Sequence, residues 1–479
     1  MSESTASQEL PQHPYGFDGD DPTWAVAATQ KRKAPPVSKV GDFEHRPAAD
    51  ADDSSKPFYP HIPDDFRHAN VPESLVEGLI LKFLLNIGAA SGRMIGLQIA
   101  LPFRMVESVL NRLRGEQMLA IVNDAALSDY TYELTPKGVE RARRYSQQCT
   151  YFGATPVALQ DYIKAVQKQT VREQQLTMHA IQHAFDGLIV EPNTMRRLGE
   201  AMNLGRAILL HGHPGNGKTT VSERMVRAYG QAIWIPRCLC IGGEILRLFD
   251  PIYHRQITQS EAKTLGIDLS NADSRWVCIW RPAIIVGGEL ELRHFDVTTN
   301  SVTSINEAPI HLKANCGSLI IDDFGRNRFR PEQLLNRLIL PLEKLVDAFH
   351  LPSGRTFQVP FDSLVVFSTN LGPETIVDEA FQRRVPFVIK LEDPTPEEYR
   401  AVFAMEAERL GLSYEEDVVN YLLNTYHATP NHPLRFSQPR DIALQVRNAC
   451  DFHQLAPVIT RALIDSAVSN LLQFYRSEN

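Results

Sequence analysis

Residues 206–230 read RAILLHGHPGNGKTTVSERMVRAYG. The apolar run Ala207 to Leu210 predicts a buried strand, TTVSERMVRA has helical spacing, and the segment between them spells G-x-x-x-x-G-K-T as Gly212, Gly217, Lys218 and Thr219. Strand, glycine-rich turn and helix in that order make a polyphosphate cradle. Glycines let main-chain N–H groups curl around the β- and γ-phosphates at a helix N-terminus, where the helix dipole favours anions. Lys218 brings a point charge to those phosphates and Thr219 a hydroxyl to magnesium. The four-position pattern arises by chance in only about one or two chains per hundred of this length. The candidate phosphate-contacting residues are Gly212, Pro214, Gly215, Asn216, Gly217, Lys218, Thr219 and Thr220.

A second stretch, SLIIDDFGR at 318–326, ends an apolar run in two adjacent acids. Asp322 and Asp323 have a plain reading as solvated turn residues, because Asp favours turns. With a phosphate site elsewhere in the chain they gain another. Adjacent buried carboxylates are costly unless a cation meets them, and a strand ending beside the phosphate loop provides one. Asp322 is then the magnesium ligand through its water shell, and Asp323 polarises an attacking water.

GHPGNGKT, SLIIDDFGR, SLVVFSTN, AFQRRV and SQPRD follow one another in the order found in the AAA+ ATPase superfamily, which residues 180 to 475 resemble. The chain looks more closely like a bacterial group described as ATPases with chaperone activity, associated with pilus assembly, which carry a winged helix ahead of the motor. The resemblance implies a P-loop AAA+ three-layer αβα domain with an all-helical lid. It also implies ATP and Mg2+ as ligands, ATP hydrolysis at subunit interfaces and a homo-oligomeric ring, a hexamer being favoured. It assigns Asn370 to sensor 1, which orients the lytic water or touches the γ-phosphate. Arg383 and Arg384 match the position that reaches into a neighbouring subunit's ATP, a task suited to a permanently charged, bidentate guanidinium. Arg440 matches sensor 2. Each has a plainer alternative: a strand-end turn for Asn370, a surface salt bridge for one of the two arginines, helix-start packing for Arg440. Asp323 departs from the family, which usually has Glu there; branches such as replication initiators and helicase loaders also carry Asp-Asp, so hydrolysis is still expected, at a rate the shorter side chain can slow.

The 479 residues, 43% hydrophobic and 22% charged, suffice for more than one core. A net charge of −8 excludes a uniformly basic nucleic-acid coat and leaves a local basic face open. Six cysteines without C-x-x-C or His spacing read as reduced thiols rather than a zinc site. The acidic start MSESTASQELPQHPYGFDGDD lacks the basic, then apolar, order of a signal peptide. LVEGLILKFLLNIGAA, interrupted by Glu77 and Lys82, is too short for a membrane span. A cytoplasmic protein is expected.

Composition and periodicity divide the chain into a disordered tail, 1–70; three helices and a hairpin whose order resembles a winged helix-turn-helix, 71–147; a helical connector, 148–180; the P-loop domain, 181–392; and the helical lid, 393–479. In the winged helix the third helix, about Phe103 to Arg114, offers Arg104, Ser108, Asn111 and Arg112 to a DNA groove. Glu107 and Glu116 offset that charge. A module that docks protein, or packs on its neighbour, is the alternative. In RWVCIWRPAIIVGGELELRHFDVTTN the alternation around Gly287 and Gly288 predicts a β-hairpin, whose Trp276, Trp280, Ile284 and Ile285 either grip a partner or pack on their own domain. Cys240-Ile241-Gly242 stands where a pore loop would lie, without the aromatic residue used by protein-threading members. Three functions are open: a ring-forming motor or chaperone-like remodeller acting on an unknown protein client, an ATP-switched regulator whose winged helix binds DNA, or a nucleotide-stabilised scaffold with negligible turnover.

Overall fold

The computed structural model describes residues 57–123, 129–172, 174–230, 232–375, 379–426 and 433–475. Five short apolar runs form a parallel sheet: β1 Ile208–His211, β2 Ala283–Val286, β3 Gly317–Ile321, β4 Ser363–Thr369 and β5 Phe387–Lys390. They lie side by side in the order β2-β3-β4-β1-β5, with every neighbouring pair parallel. Their runs are continuously apolar because both faces are covered. Leu209, Leu319, Ile321, Val365 and Phe367 join Leu334 and Leu338 of the helix Pro331–Lys344 in one core. Ile208, Leu210, Ile320, Val366 and Ile389 join Leu198, Met202, Val221 and Met225 of the helices Pro192–Leu204 and Lys218–Arg227 in the other. The result is a three-layer αβα domain. Each such buried side chain contributes about 1.5–3 kcal/mol, and a charge introduced at the fully buried Ile320 would break the layer.

The order of the strands places the site. The chain leaves β1 toward β2 on one side, while β5 lies on the other, so a crevice opens at the carboxyl ends of the strands beside β1. Four loops leave those ends: 212–217 after β1, 322–323 after β3, 370 after β4 and 391–393 after β5.

The lid has the four helices its spacing predicts: Pro396–Arg409, Glu416–Tyr426, Gln438–His453 and Arg461–Tyr475, packed around Phe403, Leu422, Val446 and Ile464. The first starts on a capping box between Thr395 and Glu398. At the N-terminal side the helices Glu73–Ile87, Gly92–Ile99 and Phe103–Gly115 precede the antiparallel strands Leu119–Asn123 and Thr131–Leu134, with Ala89–Ser91 pairing to the latter. The helix Pro136–Gln148 follows, its start capped by the Thr135 hydroxyl accepting from the Gly138 N–H. Among the described residues no helix is long and apolar enough to cross a membrane.

Three expectations are corrected. The ordered fold reaches back before residue 71: Phe58 packs on Trp276 with ring centroids 5.1 Å apart, Tyr59 on Trp234 at 5.8 Å, and Phe66–Ala69 is a short helix. Residues 148–180 are not simply a helical connector, because Val157–Ala158 pairs in parallel with Leu239–Cys240 as the edge of a second five-stranded sheet. The hairpin around Gly287 and Gly288 does not form. Trp276–Trp280 pairs antiparallel with Ala232–Pro236, and Ala283–Val286 is β2 of the central sheet. Trp276 and Ile284 are accordingly buried, and Trp280 lies under the Arg255 guanidinium, 5.2 Å from it.

Candidate functional site

The loop after β1 needs its glycines. Gly212, Gly215 and Gly217 have φ of 148°, 83° and 74°, conformations that cost a side chain dearly. A Cβ at Gly212 would also lie 2.4 Å from the Leu391 carbonyl oxygen, and one at Gly215 2.5 Å from the Ser437 hydroxyl. Lys218 follows at the first position of its helix, 7% exposed. Its ammonium donates to the carbonyls of Gly212 at 2.9 Å and His213 at 3.1 Å, and to Asn370 Oδ1. Burial lowers the Lys218 pKa, while the charges of Asp322 and Asp323 act against that.

Asp322 is held on three sides. Its Oδ2 accepts from the Thr219 hydroxyl at 2.8 Å; its Oδ1 accepts from the Ser368 hydroxyl at 2.7 Å and from the Asp323 N–H at 3.0 Å. The next residue turns sharply: Asp323 has φ 49°, a left-handed conformation that Asp tolerates better than most side chains. That turn presents its Oδ1 to the Asn370 amide, which donates at 3.2 Å. Thr219 and Asp322 therefore offer two oxygens on one side of the lysine, a donor set that suits Mg2+ completed by phosphate and water.

These groups line a cavity of about 790 Å³, whose wall also includes the apolar side chains of Leu188, Ile189 and Val190 before the helix Pro192–Leu204 and of Val402, Met405 and Phe436 of the lid, beside the acids Glu191, Glu398, Glu406 and Asp441. Polar groups for anions and apolar surface for a flat ring in one cavity suit a nucleotide. Asp393, after β5, ties loop, sheet and lid together. It accepts from Asn216 Nδ2 at 2.7 Å, meets His213 Nδ1 at 3.0 Å and pairs with Arg435 of the lid. Burial alone would raise the Asp393 pKa, but the bonds from Asn216, His213 and Arg435 outweigh it and hold the carboxyl below the usual range. Ser437 N–H adds a bond to the Gly215 carbonyl at 2.9 Å.

Of the residues singled out in the sequence, Pro214, Gly215, Asn216, Gly217, Lys218, Thr219, Thr220, Asp322, Asp323, Asn370 and Arg440 all line the cavity. Arg440 does so with a 60% exposed side chain, 3.7 Å from Asp441. Arg383 and Arg384 are not in the lining; they end the helix Glu379–Arg384, where Arg384 pairs with Glu343 at 3.0 Å. Sequence reading missed Ser368, Asp393 and Arg435. Ser368 was within reach, two positions before Asn370 and on the same strand face; Arg435 and Asp393 meet only through the tertiary fold.

A family described as a domain of unknown function, DUF8689, matches residues 395–470, the lid. No curated protein matches the chain. Among solved structures, NtrX from Brucella abortus in complex with ADP is 12% identical with a TM-score of 0.35, covering 58% of this chain and 54% of that one. NtrX in complex with ATP is 14% identical with a TM-score of 0.35, covering 58% and 56%. The Thermotoga maritima RuvB Holliday junction branch migration motor is 14% identical with a TM-score of 0.31, covering 59% and 70%. The chain spans about half the length of the NtrX structures it matches. The reading of the site rests on its own geometry.

Proposed function

We propose that the protein is an AAA+ ATPase that binds Mg-ATP in this cavity and hydrolyses it, as a cytoplasmic ring-forming motor or chaperone-like remodeller acting on a protein client. The observation that carries this is the meeting of Lys218, Thr219, Asp322, Asp323 and Asn370 at the mouth of the crevice. In this reading the base packs on the apolar side chains of the lining and the phosphates lie on the N–H groups of residues 214–220. Lys218 exchanges its carbonyl partners for phosphate oxygens. Magnesium, when bound, neutralises charge developing on the phosphates. Asp322 and Thr219 hold it, Asp323 takes the proton of the attacking water, and Asn370 aligns Asp323 and Lys218 about the reacting phosphate. Arg383, more exposed than the Glu343-bound Arg384, is the better candidate for reaching a neighbouring subunit's ATP. Arg440 approaches from the lid.

The N-terminal module is read as a winged-helix adaptor for protein. The rival, a DNA-binding regulator, asks Arg104, Ser108 and Arg112 of the third helix to be free for a groove. Yet Arg104 pairs with Asp64, and Arg112 lies 3.2 Å from Glu77 and 3.1 Å from Glu116. Ser108 spends its hydroxyl proton on the Met105 carbonyl.

Steady-state ATP turnover of the wild type, Lys218→Ala and Asp323→Asn tests the proposal. Turnover should fall by two orders of magnitude or more in both variants; equal rates in all three would remove it. Mixing an Arg383→Ala subunit with a Lys218→Ala subunit tests the shared site, and recovered turnover is the expected result.

A further inference from the structure

A second cavity, of about 300 Å³, lies between the N-terminal module and the second sheet. The helix Glu73–Ile87 supplies Ser74 and Lys82, the end of Pro136–Gln148 supplies Gln148, and the facing wall contains Glu244 and Asn306. Lys82 is 5% exposed. A buried cation is costly unless an anion meets it, and other buried cations of this protein obey the rule: Lys313 pairs with Asp250 at 2.7 Å and Arg275 with Asp273 at 2.8 Å. Lys82 has no carboxylate within ion-pair distance among the described residues; its one hydrogen bond goes to the Cys149 carbonyl at 2.9 Å. Lys218 is likewise buried with no ion pair among the described residues, donates to carbonyls and lines a cavity. In both, burial lowers the pKa, a penalty that a bound anion would relieve.

A plainer role exists for Lys82. By bonding the Cys149 carbonyl it caps the negative end of the helix Pro136–Gln148. That role occupies one of three N–H donors and is served as well from solvent, so it accounts for neither the burial nor the adjoining space. Glu244 is the one unfavourable group in the lining, and Arg355 stands 3.9 Å from it.

We propose that this cavity binds a small molecule bearing one carboxylate or phosphate group, which sets its anion on Lys82 and joins the N-terminal module more firmly to the second sheet. Polar groups at Ser74, Gln148 and Asn306 suit a hydroxylated body, and the volume lies at the lower end of small-molecule sites.

The test is thermal unfolding of full-length Lys218→Ala, whose own phosphate cradle is disabled, with millimolar inorganic phosphate or lactate against chloride of equal ionic strength. At least one probe should raise the midpoint saturably, by about 2 °C, and the arm that responds identifies the headgroup. Adding Lys82→Met should abolish the rise, and adding Glu244→Gln should lower the probe concentration at half-effect severalfold. Should Lys82→Met fail to fold, Ser74→Trp narrows the mouth while leaving the cap on Cys149 intact, and it too should abolish the rise. No response to either probe, or an undiminished response in Lys82→Met or Ser74→Trp, overturns the proposal. A purely structural cap would change the starting midpoint without touching the response.

Discussion

Asn370 Oδ1 accepts from the Lys218 ammonium while the same amide donates to Asp323 at 3.2 Å. One side chain at the end of β4 thus sets the spacing between the cation and the acid, which in the proposed reading flank the reacting phosphate. Asn370→Ala should leave ATP affinity within a few-fold of wild type, because the main-chain cradle and Lys218 remain. Turnover should drop by about 100-fold, the scale found when one oriented polar group is removed from a transition state. Rapid-quench turnover beside equilibrium nucleotide binding separates the two effects. A loss confined to affinity would assign Asn370 to ground-state binding.

Ser368 is fully buried and donates to Asp322 Oδ1 at 2.7 Å. Its removal leaves Asp322 with Thr219 and one main-chain N–H, free to rotate away from the lysine. Ser368→Ala should raise the Mg2+ concentration needed for half-maximal turnover about tenfold, the loss expected when a metal-holding carboxylate gives up a hydrogen bond that orients it, with smaller effect at saturating Mg2+. Magnesium titrations of turnover at fixed ATP measure this directly, and an unchanged half-point would show that Thr219 alone suffices.

That the loop after β1, the Asp pair and Asn370 come together was legible because each lies at the end of an apolar run whose local neighbours specify it. β2 was not. The dipeptide Gly287-Gly288 after AIIV is a strong local turn signal, but the partner of Trp276–Trp280 is Ala232–Pro236, some forty residues upstream, and no local pattern announces such pairing. Phe58 and Tyr59 sit in a segment whose composition reads as tail, yet two aromatic rings and the Asp273 N–H bond to the Pro60 carbonyl at 2.9 Å anchor it. The lid's four helices were readable from spacing; that Arg435 is the more enclosed arginine of the lid's approach and Arg440 the exposed one, 12% against 60%, was not. Helical periodicity reports which face is apolar and says nothing of which polar residue reaches a distant hinge.

Asp393 gives the lid an acid-sensitive tie. Its folded pKa is depressed below the unfolded value of about 3.9. Its contribution to docking is therefore complete above that value and is lost as pH falls through the folded one. Asp393→Asn keeps the shape but removes the charge that Arg435 and His213 face. In the wild type the lid should loosen below about pH 4, seen as faster hydrogen exchange along the helix Gln438–His453. The Asn variant should show the looser lid already at neutral pH and a flatter acid profile. Identical profiles would remove Asp393 from the coupling of lid and phosphate loop.

The last expectation concerns the N-terminal module. Glu77 is 5% exposed and receives Arg112 at 3.2 Å, Arg141 at 3.3 Å and the Tyr145 hydroxyl at 3.0 Å. Arg112 thus neutralises an acid inside its own module, and drawing it toward a DNA phosphate would strip one of three partners from a buried carboxylate. Arg112→Ala should lower stability by about 1–2 kcal/mol, the scale of a partly exposed charge-assisted bond, read from denaturant midpoints at unchanged slope. Duplex DNA should show no mobility shift with the wild-type chain at low salt. A shift that weakens steeply between two salt concentrations would be the signature of phosphate contacts, and its loss in Arg112→Ala would return the helix Phe103–Gly115 to the groove-reading role its place in the sequence suggests.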